Sequence, residues 1–536
     1  MKKFPIDTVS IPCDRSDEWY NDFSLPQTPE NFYSFYSDIK ETYFETVKKY
    51  YGTFIGDVLL TKIKIYQEYT KVICAINLIK ISRDNGLQPL CSEKAILINK
   101  LLKNDLGFSN SLNFTEFKES DKFHTVYKKF RNIIYSMRVN KDPLYFLNAK
   151  KNDMTVLNVA PSKETMMYAD KINSSFIYAS PLDWLLSADK IRIDSTLSDE
   201  IHAISAEIAE NIRKKLSEKY KFTVDENIIT ILKKFTVMHL TSGARDLTVI
   251  NNSVSECKPM LLLGGNQSSF FNRAMALCNR KIGGKSIGFN HGNDTFSNRD
   301  IRFELSIVNE FVTYTEGGAH LIRERDKSFF PSFSPNEPHI SSLNTDIYLN
   351  LWKKYKDIPV PPKISRIMVL GYPYDLSEIL TYGPPDVAFL HLEMKVIKAL
   401  TDGGFDVICK SHPESCINTD SFYGNNVIVT REPFEDLMEY ADAFVFLYSY
   451  TSVFPIGLCT NKPAVLLNTL KNHRHHTKEV YDLLGKRCKV IDVYNDPLNR
   501  FDFNKEELLE YLGRKHSKPN TELLERFMFP EGYKEI

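Results

Sequence analysis

Phe405-Asp406-Val407-Ile408-Cys409-Lys410-Ser411-His412-Pro413-Glu414 is an apolar run that stops abruptly in polar residues. It reads as a buried parallel strand that delivers Lys410, Ser411, His412 and Pro413 at its carboxyl end, where open α/β sheets bind ligands. An anion-binding corner is the expected product. A surface turn with a capping serine and a solvated histidine is the alternative, and these residues alone do not separate the two.

The pattern around the stretch supports a sheet. Upstream lie a strand at Arg366–Leu370, a turn Gly371-Tyr372-Pro373-Tyr374 and a helix Asp386–Thr401 stopped by Gly403-Gly404. Downstream, strands Val427–Val429, Ala443–Leu447 and Ala464–Leu467 alternate with helices Pro433–Tyr440 and Ser452–Cys459. Strict alternation of this kind implies a parallel sheet. The run Ala441–Cys459 is apolar enough to resemble a membrane span, but Asp442, the Ser449–Ser452 cluster and Pro455 interrupt it. Two closing helices, Lys505–Leu512 and Thr521–Phe527, follow, and the last is expected to cross back to the preceding domain.

That preceding domain shows the same texture. Short β-branched or apolar runs at Thr155–Val159, Ser175–Ala179, Pro259–Leu263, Ser286–Phe289 and Phe311–Thr315 alternate with helical stretches. Their ends carry Ala160-Pro161-Ser162, the turn Gly264-Gly265-Asn266-Gln267, Asn290-His291-Gly292-Asn293-Asp294 and Glu316-Gly317-Gly318. The stretch Thr241–Asp246 is read as a loop that opens a new unit. Residues from Arg325 to Pro362, rich in proline around one short helix, are read as the interdomain linker. Before all this, residues 1–30 read as irregular. Helical periodicity then runs from Pro29 to about Met137, with further runs at Ile55–Ser82, Cys91–Lys103 and Thr115–Met137. The expected division is a helical annex over 1–150, a first doubly wound domain over 151–345 and a second over 346–536.

Composition removes whole classes of function. Lys plus Arg and Asp plus Glu both number 68, so no overall field draws the chain to nucleic acid. The nine cysteines, at 13, 74, 91, 257, 278, 409, 416, 459 and 488, form no CxxC pair, which argues for a reducing compartment and against a zinc module. No apolar signal core follows the first residues, so a cytoplasmic protein without a transmembrane segment is expected. Association with the inner face of the membrane and an oligomer formed through the annex both remain open.

The chemistry must then sit on loops facing each other across a cleft. On the second domain these loops offer Gly371, Tyr372, Lys410, His412, Pro413, Glu414, Ser449, Thr451 and Ser452, a set suited to a phosphate. On the first they offer Gly265, Asn266, Gln267, His291, Asn293, Asp294 and Glu316, suited to acid/base work and hydroxyl recognition. The tract Lys471–His476 has no nearby carboxylate or cysteine, so it is read as a basic loop near the phosphate rather than a metal site.

Taken together, the His-Gly at a strand end, Lys410-Ser411-His412-Pro413, the Ser449–Ser452 cluster and Asn461-Lys462-Pro463 resemble GT-B glycosyltransferases. The likeness is closest to bacterial capsule and lipopolysaccharide enzymes that use CMP-activated donors, such as sialyltransferases and Kdo transferases. It spans roughly 150–515 and implies two Rossmann-like domains, with a His-Pro motif and a Ser/Thr motif gripping the nucleotide phosphate. His412 with Pro413 would be the first motif, and Ser449, Thr451 and Ser452 the second. Asn290-His291-Gly292 is similar to the Gln-His-Gly turn of capsule-synthesis proteins. The implied substrates are a CMP-linked donor, carrying an ulosonic acid such as Kdo or a sialic-acid-like sugar, and a glycan or lipid-linked glycan acceptor. No cofactor is expected. No Asp-x-Asp occurs in the chain, which favours a metal-independent site. In one respect this chain departs from the pattern, because the Asp-Gly base motif of the sialyltransferase-like groups is missing from the first domain. Asp294, Glu316 and Asp246 are the candidate carboxylates, with His291 beside them. A CDP-polyol phosphotransferase and a non-catalytic nucleotide- or glycan-binding module are the alternative readings.

Overall fold

In a computed structural model of the chain, the described residues are all except 1, 12–15, 64, 92–155, 161, 173–176, 179–190, 221–223, 258–260, 266–268, 291–295, 297–300, 325–337, 375–384, 414, 416–421, 424–425, 470–475 and 534–536. The expected helical runs Cys91–Lys103 and Thr115–Met137 therefore lie almost wholly outside them.

The first thirty residues are not irregular. β1 (Lys2–Pro5) pairs in parallel with β2 (Leu87–Leu90), and Ser16–Asp22 is a helix. Around them stand the annex helices Pro29–Lys49, Phe54–Thr61 and Ile65–Asp84. On the first of these Phe32, Phe35, Ile39, Tyr43 and Val47 are all buried, as their helical spacing requires. Two long helices from later in the chain, Ser195–Tyr220 and Glu226–Cys257, pack against these annex helices. Glu226–Cys257 also packs against Phe270–Lys281, a helix that lies on the first sheet.

The stretch Thr241–Asp246 is helical, not a loop. A Cβ on Gly243 would lie 2.8 Å from Lys62 Cε and 3.0 Å from Val58 Cγ1. The glycine lets two helices approach closely, and the same residue in the sequence imitates a breaker.

The first sheet has six parallel strands in the order β4-β3-β5-β6-β7-β8. These are β3 (Val156–Ala160), β4 (Ile177–Tyr178), β5 (Leu261–Gly264), β6 (Lys285–Phe289), β7 (Glu310–Thr313) and β8 (His339–Ser342). The stretch read as a linker contains the one short helix expected there, Ile347–Tyr355, and also β8, which was not expected. The prolines there bracket short elements, and β8 registers on β7 from Glu310↔His339 to Thr313↔Ser342.

The second sheet has the order β11-β10-β9-β12-β13-β14-β15. Its strands are β9 (Arg366–Leu370), β10 (Asp406–Lys410), β11 (Val427–Thr430), β12 (Ala443–Phe446), β13 (Ala464–Asn468), β14 (Lys489–Asn495) and an antiparallel β15 (Phe501–Phe503). Alternate residues supply opposite faces. Ile367, Val369, Val407, Cys409, Ala443 and Val445 join one apolar cluster, while Met368, Leu370, Ile408, Phe444 and Phe446 join another. Burial on both faces is why these strands read as unbroken apolar runs. The doubly wound α/β architecture expected of a GT-B chain is therefore present in both halves.

Two segments tie the halves together. Near the amino terminus, Leu25 N donates to Leu498 O at 3.0 Å, and the ring of His391 stacks on Tyr20 with centroids 5.0 Å apart. At the other end, the helix Glu522–Phe527 packs on Lys478–Arg487 and on Glu316–Arg323, so the last helix does cross back to the first domain.

Candidate functional site

In the second sheet Leu370 registers with Lys410 on one side and with Phe446 on the other. Three strands thus end at one level, about 4.8 Å apart. The strand order reverses between β9 and β12, so the crevice between their carboxyl ends is the expected ligand seat of such a sheet. Gly371–Tyr374 and Leu447–Ser452 flank it, and Lys410–Pro413 lies one strand further along. In the first sheet the corresponding reversal falls between β3 and β5, whose carboxyl ends carry Ala160 and the buried Gly265.

At the first of these turns the backbone is crowded. A Cβ on Gly371 would sit 3.1 Å from Glu393 Oε2 and 3.2 Å from Lys410 O, and Gly371 N donates to that carbonyl at 2.9 Å. Tyr372 is fully buried, with its ring stacked on Phe389 at 4.1 Å and edge-on to Tyr448 at 5.2 Å. Its ring therefore forms part of the wall of the crevice.

Beneath this turn lies Glu393, a buried carboxylate that the sequence reading missed. Tyr372 N donates to it at 3.2 Å and Tyr374 Oη at 3.0 Å, and Tyr423 Oη also donates. Burial pushes its pKa up, and the donors from Tyr423, Tyr372, Tyr374 and Cys409 only partly offset that. The sequence signal was there: a carboxylate in the apolar middle of the helix Asp386–Asp402.

Lys410 is 5% exposed, on the β10 face that carries Ile408. Its Nζ donates to Ser411 O at 2.8 Å and makes no ion pair with a carboxylate among the described residues. Burial lowers its pKa, while the charges of Glu435, Cys409 and Glu432 act the other way. His412 is half-buried, and its carbonyl accepts from Ser415 N at 2.9 Å. Pro413 is exposed, and Glu414 lies outside the described residues.

Across the crevice, Ser449 and Thr451 are half-buried and Ser452 is exposed. The helix they lead into, Val453–Leu458, has only six residues, and Ser452 makes no capping hydrogen bond to it. Ser449 instead meets His476 from the basic loop, Oγ to Nε2 at 2.8 Å. The other ring nitrogen of His476, Nδ1, lies 3.0 Å from the carbonyl oxygen of Phe296, on the loop after β6. Phe296 is buried against Phe454, with ring centroids 6.1 Å apart. Phe296 of the first domain is thus seated on the second domain beside the hydroxyl cluster. His476 was missed as an individual residue, because it was read only as part of a solvated tract.

The first-domain candidates divide. His291, Asn293 and Asp294 lie outside the described residues, between Asn290, whose N–H donates to Val312 O at 2.9 Å, and Phe296. Asn266 and Gln267 are also outside them. Glu316 opens a helix, not a free strand end, and is bonded to Arg323 and, at 2.8 Å, to Ser342 Oγ. Burial would raise its pKa, but Arg323 and Ser342 outweigh that and hold it below the ordinary glutamate value. Its Gly317-Gly318 neighbours serve packing: a Cβ on Gly317 would stand 2.3 Å from Phe527 Cα, and Thr315 Oγ1 donates to Phe527 O at 2.6 Å. Asp246 stands in mid-helix, 3.6 Å from Lys62 Nζ of the annex. Both carboxylates are therefore committed to internal partners.

Among the described residues, no group of three or more His, Cys, Asp or Glu side chains is placed to hold a metal ion, and no helix is long and apolar enough to cross a membrane. No protein-family model and no curated protein matches the chain. Among solved structures the chain is similar to the calicheamicin glycosyltransferase CalG4, at 9% identity and a TM-score of 0.30, over 67% of this chain and 89% of that one.

Proposed function

We propose that the chain is a GT-B glycosyltransferase whose second domain holds the phosphate of a nucleotide-activated sugar and whose first domain presents the acceptor hydroxyl. The observation that carries this reading is Lys410, a buried ammonium beside the crevice of a nucleotide-binding type of sheet, bonded to one carbonyl and ion-paired to no described carboxylate. A buried charge left in that state is costly, and an incoming phosphate relieves the cost. Lys410 and His412 then offset the charge that builds on the departing phosphate.

The donor is proposed to be CMP-linked, carrying an ulosonic acid of the Kdo or sialic-acid type, and the acceptor a surface glycan. Lys410-Ser411-His412-Pro413 at a strand end supports that choice. With Glu316 and Asp246 engaged elsewhere, activation of the acceptor hydroxyl falls to Asp294 with His291, in the stretch just before Phe296. Because lysine and histidine take the leaving-group role, turnover is expected to survive EDTA.

The test is donor consumption with CMP-, CDP-, UDP- and GDP-linked sugars and with CDP-glycerol. Consumption of a CMP-sugar, abolished in Asp294→Asn or His291→Ala, is the expected result. Transfer of glycerol phosphate from CDP-glycerol would instead make the chain a phosphotransferase. If no donor is consumed while a nucleotide still raises Tm, the chain is a binding module.

A further inference from the structure

The Ser449–His476–Phe296 contact permits a proton count. A carbonyl oxygen only accepts, so His476 Nδ1 must carry a proton to bond Phe296 O at 3.0 Å. In the neutral ring Nε2 is then an acceptor, and the Ser449 hydroxyl donates to it at 2.8 Å. A hydroxyl has one proton. With the ring neutral that proton is committed, and Ser449 Oγ then only accepts from whatever enters the crevice, whereas gripping a phosphate oxygen requires a donor. The anchor of this arrangement, Phe296, belongs to the first domain, and its ring packs on Phe454 of the second. The hydrogen-bonding sense of Ser449 is thereby tied to the position of the Phe296 carbonyl.

We propose that His476 is a positioning residue that, through Phe296, fixes Ser449 as a hydrogen-bond acceptor and so as the contact for a hydroxyl of the substrate rather than for its phosphate. The inference rests on the nucleotide-sugar reading for the origin of that hydroxyl, either the nucleotide ribose or the transferred sugar. Phosphate recognition then stays with Lys410 and His412, and Ser449 supplies selection for a polyol.

Two substitutions separate the links. His476→Gln places an amide near the Nε2 position and gives up the bond to Phe296, while His476→Asn keeps a donor near the Nδ1 position and gives up Ser449. For the donor that the wild type consumes, Ser449→Ala and both histidine variants are expected to lose about tenfold in kcat/KM, the scale of one hydrogen bond to a buried group. Their affinity for pyrophosphate is expected to stay within about twofold of wild type, whereas Lys410→Met loses it. Weakened CMP binding in Ser449→Ala assigns the hydroxyl to the ribose, and unchanged CMP binding assigns it to the sugar. Pyrophosphate affinity that falls in Ser449→Ala as it does in Lys410→Met overturns the proposal, as does wild-type kcat/KM in His476→Gln.

If the wild type consumes no donor, the transferase reading fails on its own and a second measurement still decides this one. In the full chain labelled with 15N-histidine, the His476 resonances, identified by their loss in His476→Gln, are expected to show the neutral Nδ1–H tautomer. The Nε2 resonance is expected to shift in Ser449→Ala. An Nε2–H tautomer, or no shift, contradicts the proposal.

Discussion

At the scale of single residues, two buried charges beneath the crevice behave oppositely. Glu393 is surrounded by donors, so Glu393→Ala strands the Tyr372, Tyr374 and Tyr423 donors and is expected to cost about 1–3 kcal/mol, read as a lower denaturation midpoint. Glu393→Gln, which keeps the shape without the charge, is expected to stay close to wild type. Among the described residues Lys410 Nζ bonds one carbonyl and pairs with no carboxylate, so its buried charge burdens the unliganded fold. Its pKa is lowered in the fold, so the burden is fully present below that folded value and fades as pH rises through it toward the unfolded value. Lys410→Met is therefore expected to raise the unliganded Tm by about 2 °C or more, while abolishing any increase caused by nucleotide. The lysine was legible because it ends an apolar run. Glu393 was legible only as a carboxylate in an apolar helix; its partners Tyr372, Tyr374, Cys409 and Tyr423 come together only when the sheet forms.

Among the elements, strands were read more faithfully than the segments between them. Apolar runs buried on both faces announce parallel strands wherever they fall, but a glycine has the same letter whether it ends a helix or lets two backbones meet. Gly243 and Gly317 are both of the second kind. Gly317→Ala would push a methyl group into the backbone at Phe527, and is expected to cost about 1–3 kcal/mol and to expose the carboxyl-terminal helix to limited proteolysis. The amino-terminal helix Ser16–Asp22 is held differently, by Trp19, Tyr20 and Phe23 around the buried ring of His391. Burial there pushes the His391 pKa down to about 3, while the hydrogen bond to the Tyr20 carbonyl works against that shift.

A histidine depressed in the fold stabilises it above its unfolded pKa near 6.5 and loses that contribution as pH falls toward about 3. Between pH 6.5 and 4.5 wild type is therefore expected to lose about 2 kcal/mol more than His391→Gln, measured by denaturant unfolding at each pH. Equal losses in the two proteins would place the acid sensitivity elsewhere.

For the whole molecule, the two doubly wound halves were readable from alternation alone, but of their junctions only the return of the last helix, Glu522–Phe527, was foreseen. Phe296, His476 and the docked amino-terminal segment join parts of the chain far apart in sequence, and such contacts leave no periodic trace. The same is true of the annex, which takes in the helices Ser195–Tyr220 and Glu226–Cys257 and carries its core without a break onto one face of the first sheet. What the molecule amounts to chemically depends on whether the crevice of the second sheet receives a nucleotide phosphate at Lys410. The most direct measurement is turnover of the CMP-, CDP-, UDP- and GDP-linked donors by wild type and by Lys410→Met, with folding of both checked by thermal melts. The expected result is consumption of CMP-sugar by wild type and a loss of about a hundredfold or more in the folded variant. Equal turnover in the two proteins, or none of any donor in wild type, would contradict it.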